Sequence, residues 1–255
     1  MVFFAGLSLG SVQGVAHAQV PAKAQQAIVV TTSDWQAVAG QLQRYERKSA
    51  ADPWSKVGTS IPIVVGKKGM GWGKGLFRLD QADADYRQEG DKRAPAGIFN
   101  LGSIFGLATA QEAEQWLTLR MPYIHLSPHI RCVGDSASQN YNEIKDIRTI
   151  PHDWKNPRNN EYMRVDAIRD EGAYRWGVFV KHNYPGNPQP RDKTSGSCIF
   201  LHIWKGDGTG TSGCTAMEKD TLLQVLNWLD AKKAPVLIQM PVPVYASYRE
   251  RWELP

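Results

Sequence analysis

The stretch Cys198-Ile-Phe-Leu-His-Ile-Trp204, continued by Lys205-Gly-Asp-Gly-Thr-Gly-Thr-Ser-Gly-Cys214 and Thr215-Ala-Met-Glu218, decides how this chain is read. Ile199, Leu201 and Ile203 fall on one strand face, and Cys198, Phe200, His202 and Trp204 on the other. A strand apolar on both faces belongs in the middle of a covered sheet. The glycine-rich run that follows is a turn. Thr215 with Glu218 three residues later has the form of a capping box, and Leu222, Val225, Leu226 and Leu229 recur behind it at helical spacing. This spacing predicts a helix that begins directly after Cys214. A thiol there meets the positive end of the helix dipole, which favours thiolate, so Cys214 is the candidate nucleophile. His202, on the strand side of the loop, is the candidate base, and the backbone amides of Ser212, Gly213 and Cys214 are candidate oxyanion donors.

Outward from this segment, the chain of 255 residues is long enough for a full core. Short apolar runs alternate with Gly/Pro turns from Ile61 onward: Ile61 to Val65, Leu76 to Leu79, Ile98 to Leu101, Val178 to His182 and Val236 to Met240. The fold class is therefore mainly β with peripheral helices (α+β). Trp35, Val38, Leu42 and Tyr45, behind a Ser33/Asp34 cap, predict an amphipathic helix over 33–48, and Ala-Asp-Pro-Trp after it reads as a linker. The region from Gln111 to Ile150 reads as helical or irregular, and either an insertion that walls the site or a plain surface excursion fits it equally.

The His202-to-Cys214 segment resembles the catalytic motif of the L,D-transpeptidases, the YkuD-like cysteine enzymes that cross-link peptidoglycan. Thr211-Ser212-Gly213-Cys214 matches the family's Ser/Thr-His-Gly-Cys, and Lys92-Arg-Ala-Pro-Ala-Gly-Ile-Phe99 is similar to its Thr-Pro-x-Gly-x-Phe strand. The resemblance covers about residues 60 to 241 and implies a YkuD-like β-sandwich or barrel with a helix following the nucleophile. It also implies a third triad member that is a backbone carbonyl, here that of Ile203. Ser212 stands where the family has His, Ala216 stands near its Asn or Arg, and the loop between His202 and Cys214 is shorter. These departures imply a remodelled donor site, and with it a link from L-Ala to diaminopimelate in place of the common link between two diamino acids. The implied partners are peptidoglycan stem peptides as donor and acceptor, with no metal and no organic cofactor. Thr215, Trp204 and His182 are candidate substrate contacts. A hydrolase on the same scaffold and a silent wall-binding module are the competing readings.

Met1 to Ala18 is apolar and ends Ala16-His17-Ala18, the pattern of an export signal with its cleavage site. The division expected is 1–18 signal peptide, 19–60 N-terminal helical segment, 61–241 catalytic domain and 242–255 C-terminal tail, with the mature protein in the periplasm. No later apolar stretch approaches the ~20 residues of a membrane span. The formal charge of +5 suits an anionic polymer, in the envelope the wall and not nucleic acid, and equally suits ordinary solubility charge scattered over the surface. Of the three cysteines, Cys132 and Cys198 could form a bridge, although separately buried thiols are the preferred reading.

Three further signals are set aside. Gly208-Thr-Gly-Thr-Ser-Gly213 satisfies a dinucleotide pattern, but no acidic residue ends the next strand. His125 and His129 have metal-like spacing, but Pro128 disfavours the helix that would align them. Asp83, Asp85, Glu89 and Asp91 are interleaved with Arg87, Lys92 and Arg93 and read as a solvated turn.

Overall fold

The computed structural model describes residues 20–77, 84–164 and 172–255. The expected signal segment 1–18, the end of the Leu76 to Leu79 run and Asp83 lie outside them. Thirteen strands and three short helices are described: β1 (Gln26–Thr32), β2 (Ala39–Glu46), β3 (Ser55–Val64), β4 (Met70–Trp72), β5 (Ala94–Gly106), α1 (Ala110–Ala113), β6 (Tyr123–His125), β7 (Ile130–Cys132), β8 (Ile144–Asp146), β9 (Glu161–Tyr162), β10 (Trp176–Val180), β11 (Phe200–Ile203), β12 (Thr215–Met217), α2 (Lys219–Trp228), β13 (Val236–Pro241) and α3 (Val242–Tyr248).

One sheet runs β10-β11-β12-β3-β2-β1-β13-β5, and β5 pairs β10 again, so the path closes on itself like a barrel. The long strand β5 makes the closure. Its first half pairs β13 (Phe99 opposite Leu237), and its second half pairs β10 (Phe105 opposite Gly177). β1 and β13 lie parallel, Val29 level with Ile238, and nearly every residue of both is buried, as expected of parallel strands covered on two faces. The two faces of β11 join separate clusters. Leu201 and Ile203 enter the main core with Ile28, Ile98 and Leu237, whereas Phe200 joins Phe105, Tyr174, Cys198 and Cys214.

The helix expected over 33–48 is a strand. The Asp34 carboxylate does accept from the amides of Gln36 and Ala37, both at 2.8 Å, so the capping signal is satisfied, but by a turn. β2 then pairs β1 and β3, where Leu42 is fully buried opposite Val30. Gly40 permits this: a Cβ there would stand 2.5 Å from the Thr31 carbonyl oxygen, a closeness available to glycine alone. Residues 26–60 thus belong to the barrel itself. The C-terminal tail folds back as α3 and a turn in which Trp252 and Leu254 are buried, Trp252 stacking on Tyr248 at 3.9 Å.

β7 and β8 of the region from Gln111 to Ile150 form a second sheet with β9, which follows that region, in the order β8-β7-β9. Cys132 of β7 is disulfide-bonded to Cys198, which corrects the preference for separate thiols. Cys198 does not begin a strand. It takes a left-handed conformation at φ 56°, and β11 starts at Phe200. That turn lets the sulfur face β7, a placement that the apolar pattern of 198–204 hides.

Candidate active site

β11 and β12 run parallel with Leu201 level with Thr215 and His202 with Ala216. Cys214 therefore comes just before β12, level with Phe200. The Phe200 amide donates to Cys214 Sγ at 3.4 Å, and the thiol faces the Cys198 carbonyl at 3.7 Å. His202 is two residues beyond Phe200 on the adjoining strand, level with Ala216. Among the described residues no hydrogen bond joins His202 to Cys214: the sulfur is turned to the β11 backbone.

His202 Nδ1 lies 2.8 Å from the Ile203 carbonyl oxygen. A carbonyl only accepts, so Nδ1 carries the proton and Nε2 keeps the lone pair of a base. This is the Ile203 contact that the resemblance implied. Burial holds the imidazole down to about 4, against the pull of the Ile203 carbonyl, so the ring is neutral near pH 7.

The helix expected directly behind Cys214 starts later. Thr215, Ala216 and Met217 are buried and continue the sheet, so α2 opens at Lys219 with Glu218 as its cap, accepting from the amides of Asp220 and Thr221. Cys214 thus has no helix dipole at its back. Burial pushes its thiol up to about 12, Glu161 adds to the rise, and the Phe200 amide and Arg87 oppose it. The resting site is a neutral thiol beside a neutral imidazole, not a preformed thiolate.

The loop ahead of Cys214 is tied by Thr211, whose hydroxyl donates to the Cys214 carbonyl at 2.6 Å and accepts from the Gly213 amide at 3.1 Å. The Gly213 amide is therefore engaged, which corrects its assignment as an oxyanion donor and leaves the amides of Ser212 and Cys214. Gly213 sits at φ 144°, with Arg93 O only 3.0 Å from where a Cβ would be, so the backbone passes where a side chain does not fit.

Two cavities meet at Ser212. One, of about 290 Å³, is lined by Cys214 and Gly213 with Arg87, Glu89, Lys92, Asn159, Glu161 and Ser197 among others. The other, of about 230 Å³, is lined by His202, Trp204, Lys67, Lys205 and the loop from Thr209 to Ser212. Of the expected substrate contacts, Trp204 lines this second cavity. Thr215 does not: it is buried, and its hydroxyl donates to Gln239 Oε1 at 2.6 Å inside the barrel. Nor does His182, 1 % exposed, whose Nδ1 accepts from the Lys74 amide at 3.1 Å and whose Nε2 donates to the Ser195 carbonyl at 2.8 Å. Burial, then Arg87, press it down to about 3, so it is a neutral strut between two loops.

Three residues of the Cys214 side carried no sequence signal. Glu161 on β9 accepts a hydrogen bond from the Tyr174 hydroxyl, and burial pushes its carboxyl up to about 7 against that bond, with Glu89 adding to the rise. Tyr174 in turn sets its ring edge-on to His202 at 5.4 Å. Arg87, 2 % exposed, comes from the acidic-basic turn read as solvated; its Nη2 donates to the Gln88 carbonyl at 3.1 Å. Asp85 and Asp91 of that turn do behave as a salt-bridged surface, both meeting Arg93, whereas Glu89 accepts from the Ser197 hydroxyl at 2.8 Å.

Residues 43–238 match the model of the YkuD family, the L,D-transpeptidase catalytic domain. The match spans most of the chain, which belongs to that family and carries an L,D-transpeptidase-type catalytic domain. No curated protein and no solved structure matches it. Among the described residues, no helix is long and apolar enough to cross a membrane.

Proposed function

We propose that this protein is an exported cysteine L,D-transpeptidase of the periplasm, with Cys214 as nucleophile and His202 as base. The observation that carries the reading is the bond from His202 Nδ1 to the Ile203 carbonyl, which leaves Nε2 free on the strand next to Cys214. Rotation of the Cys214 side chain releases Sγ from the β11 backbone. As Sγ bonds to a stem-peptide carbonyl carbon, its proton passes to His202 Nε2, and the amides of Ser212 and Cys214 receive the oxyanion. The imidazolium then protonates the leaving amine, the C–N bond breaks, and the acyl group remains on sulfur as a thioester. The side-chain amine of a diamino acid on a second stem displaces it.

We further assign the donor carbonyl to L-Ala, so that the product joins L-Ala to diaminopimelate. Ser212, in place of a histidine, lines both cavities at the end of the short loop, and Asn159 lines the Cys214 side; this supports a donor site of changed shape. Incubation with purified peptidoglycan, followed by digestion and tandem mass spectrometry, should give dimers linked through L-Ala. Dimers linked only between diamino acids overturn the regiochemistry; released monomers without dimers overturn transfer in favour of hydrolysis.

A further inference from the structure

The transfer half of such a reaction sets a proton problem that Cys214 and His202 do not solve by themselves. Near pH 7 the acceptor amine is an ammonium ion, and its nitrogen must shed two protons to become an amide. One goes with the departing sulfur, delivered through His202. The other must leave before the nitrogen lone pair can attack, and it needs a separate acceptor.

We propose that the Glu161 carboxylate is that acceptor, held by Tyr174 in the cavity of Cys214. The inference rests on the transpeptidase reading above and concerns its second half. Glu161 lines the same 290 Å³ cavity as Cys214, Gly213 and Ser212, whereas His202 lines the cavity on the other side of Ser212. Its carboxylate accepts from the Tyr174 hydroxyl, and among the described residues no lysine or arginine forms an ion pair with it. Tyr174 is itself fixed by edge-on contacts to Phe105 at 5.8 Å and Phe200 at 5.4 Å. The backbone of Glu161 is fixed too, since β9 pairs Cys132 of β7, the half-cystine bonded to Cys198 beside the nucleophile.

The charges around the carboxyl suit the task. Glu89 pushes it up, the Tyr174 hydroxyl pulls it down, Arg87 and Lys92 line the cavity beyond, and Cys214 stays a neutral thiol or thioester. A carboxyl near 7 is ionised in about half of the molecules at pH 7, and a base poised there accepts a proton and sheds it again to water. The step is balanced as follows. The Glu161 carboxylate takes one N–H proton from the ammonium ion. The freed lone pair bonds to the thioester carbon, and the C–S bond breaks with its electrons on sulfur. The second N–H proton passes through His202 to the thiolate, restoring the Cys214 thiol, while Glu161 releases its proton to solvent.

The test separates the two half-reactions. Donor muropeptide is added to the folded protein without acceptor, and the Cys214 thioester is followed by intact mass. Acceptor stem peptide is then added, and its loss is followed from pH 5 to 9. Glu161→Gln should acylate at the wild-type rate or faster, because a charge opposing the thiolate is gone. It should transfer to the amine at least about 10²-fold more slowly at pH 7, with the deficit shrinking toward pH 9 as the amine loses its proton to water. Equal transfer rates in Glu161→Gln and wild type across that range overturn the proposal, as does equal loss of both half-reactions. Tyr174→Phe serves if Glu161→Gln does not fold. It leaves the carboxylate without its donor, so the acid limb of transfer should move to higher pH while that of acylation stays; an unmoved limb overturns the proposal. If wild type forms no thioester, the transpeptidase reading falls and this inference with it, whereas thioester formation with normal transfer in Glu161→Gln removes this inference alone.

Discussion

The two cavities that meet at Ser212 are built from different parts of the chain and do different electrostatic work. The His202 side is made of barrel loops, with two lysines and no carboxylate along its lining. The Cys214 side joins the barrel to the insertion and carries Arg87, Glu89, Lys92 and Glu161 around a buried thiol. Barrel strands set the relative position of Cys214 and His202, since a register is a rigid relation. The Cys132–Cys198 bridge, two residues ahead of β11, ties the insertion to the barrel together with the pairing of β6 with β5.

The severest way to break this comparison is to remove the group that gives the Cys214 side its purpose. Cys214→Ala should abolish formation of both thioester and cross-linked product while circular dichroism stays that of the wild type, because only a sulfur is lost. Any turnover by the purified variant on muropeptides refutes the assignment. His202→Ala strikes the other side. It should cost about 10²–10⁴-fold in acylation, with the residual rate rising steadily above pH 8 as a thiol held near 12 begins to ionise without its base. A flat residual rate over pH 7 to 10 would mean that another group activates the sulfur.

Cutting the tether probes the joint between the two parts. The bridge closes a loop of 66 residues, and replacing both Cys132 and Cys198 by alanine should lower stability by about 4 kcal/mol on the chain-entropy account. Since that loop walls the Cys214 side, alkylation of Cys214 by iodoacetamide should also speed up. Urea melts and labelling rates test the two effects together, and an unchanged labelling rate would detach the insertion from the site. The smallest effect belongs to the boundary itself. Ser212→Ala keeps the backbone amide and should hold activity within about tenfold of wild type, the scale of one hydrogen bond. A loss as deep as that in Cys214→Ala would make the hydroxyl part of the chemistry.

What was legible in the sequence was local and periodic. The two-faced apolar run ending in Ile203 is a central strand, β13 follows from Val236 to Met240, and His202, Cys214 and the Ile203 carbonyl were named from the motif. Local patterns also misled where two structures share them. Trp35, Val38, Leu42 and Tyr45 fit a helix, yet the same stretch, with Gly40 closing on Thr31, is pulled into a sheet by β1 and β3. Thr215 and Glu218 fit a capping box, yet pairing with β11 carries the strand on to Met217.

By itself, the sequence determined a mainly β chain with a cysteine and a histidine at the two ends of a glycine-rich loop, because strand alternation and motif spacing are properties of neighbours along the chain. Only the tertiary structure decided the protonation chemistry of the site. Burial raises the Cys214 thiol, lowers the His202 imidazole and raises the Glu161 carboxyl, and it depends on which distant segments cover them. Residues 161 and 214 stand more than fifty positions apart in the chain. Pairing of β9 with β7, and the bridge from β7 to Cys198, bring them to one cavity.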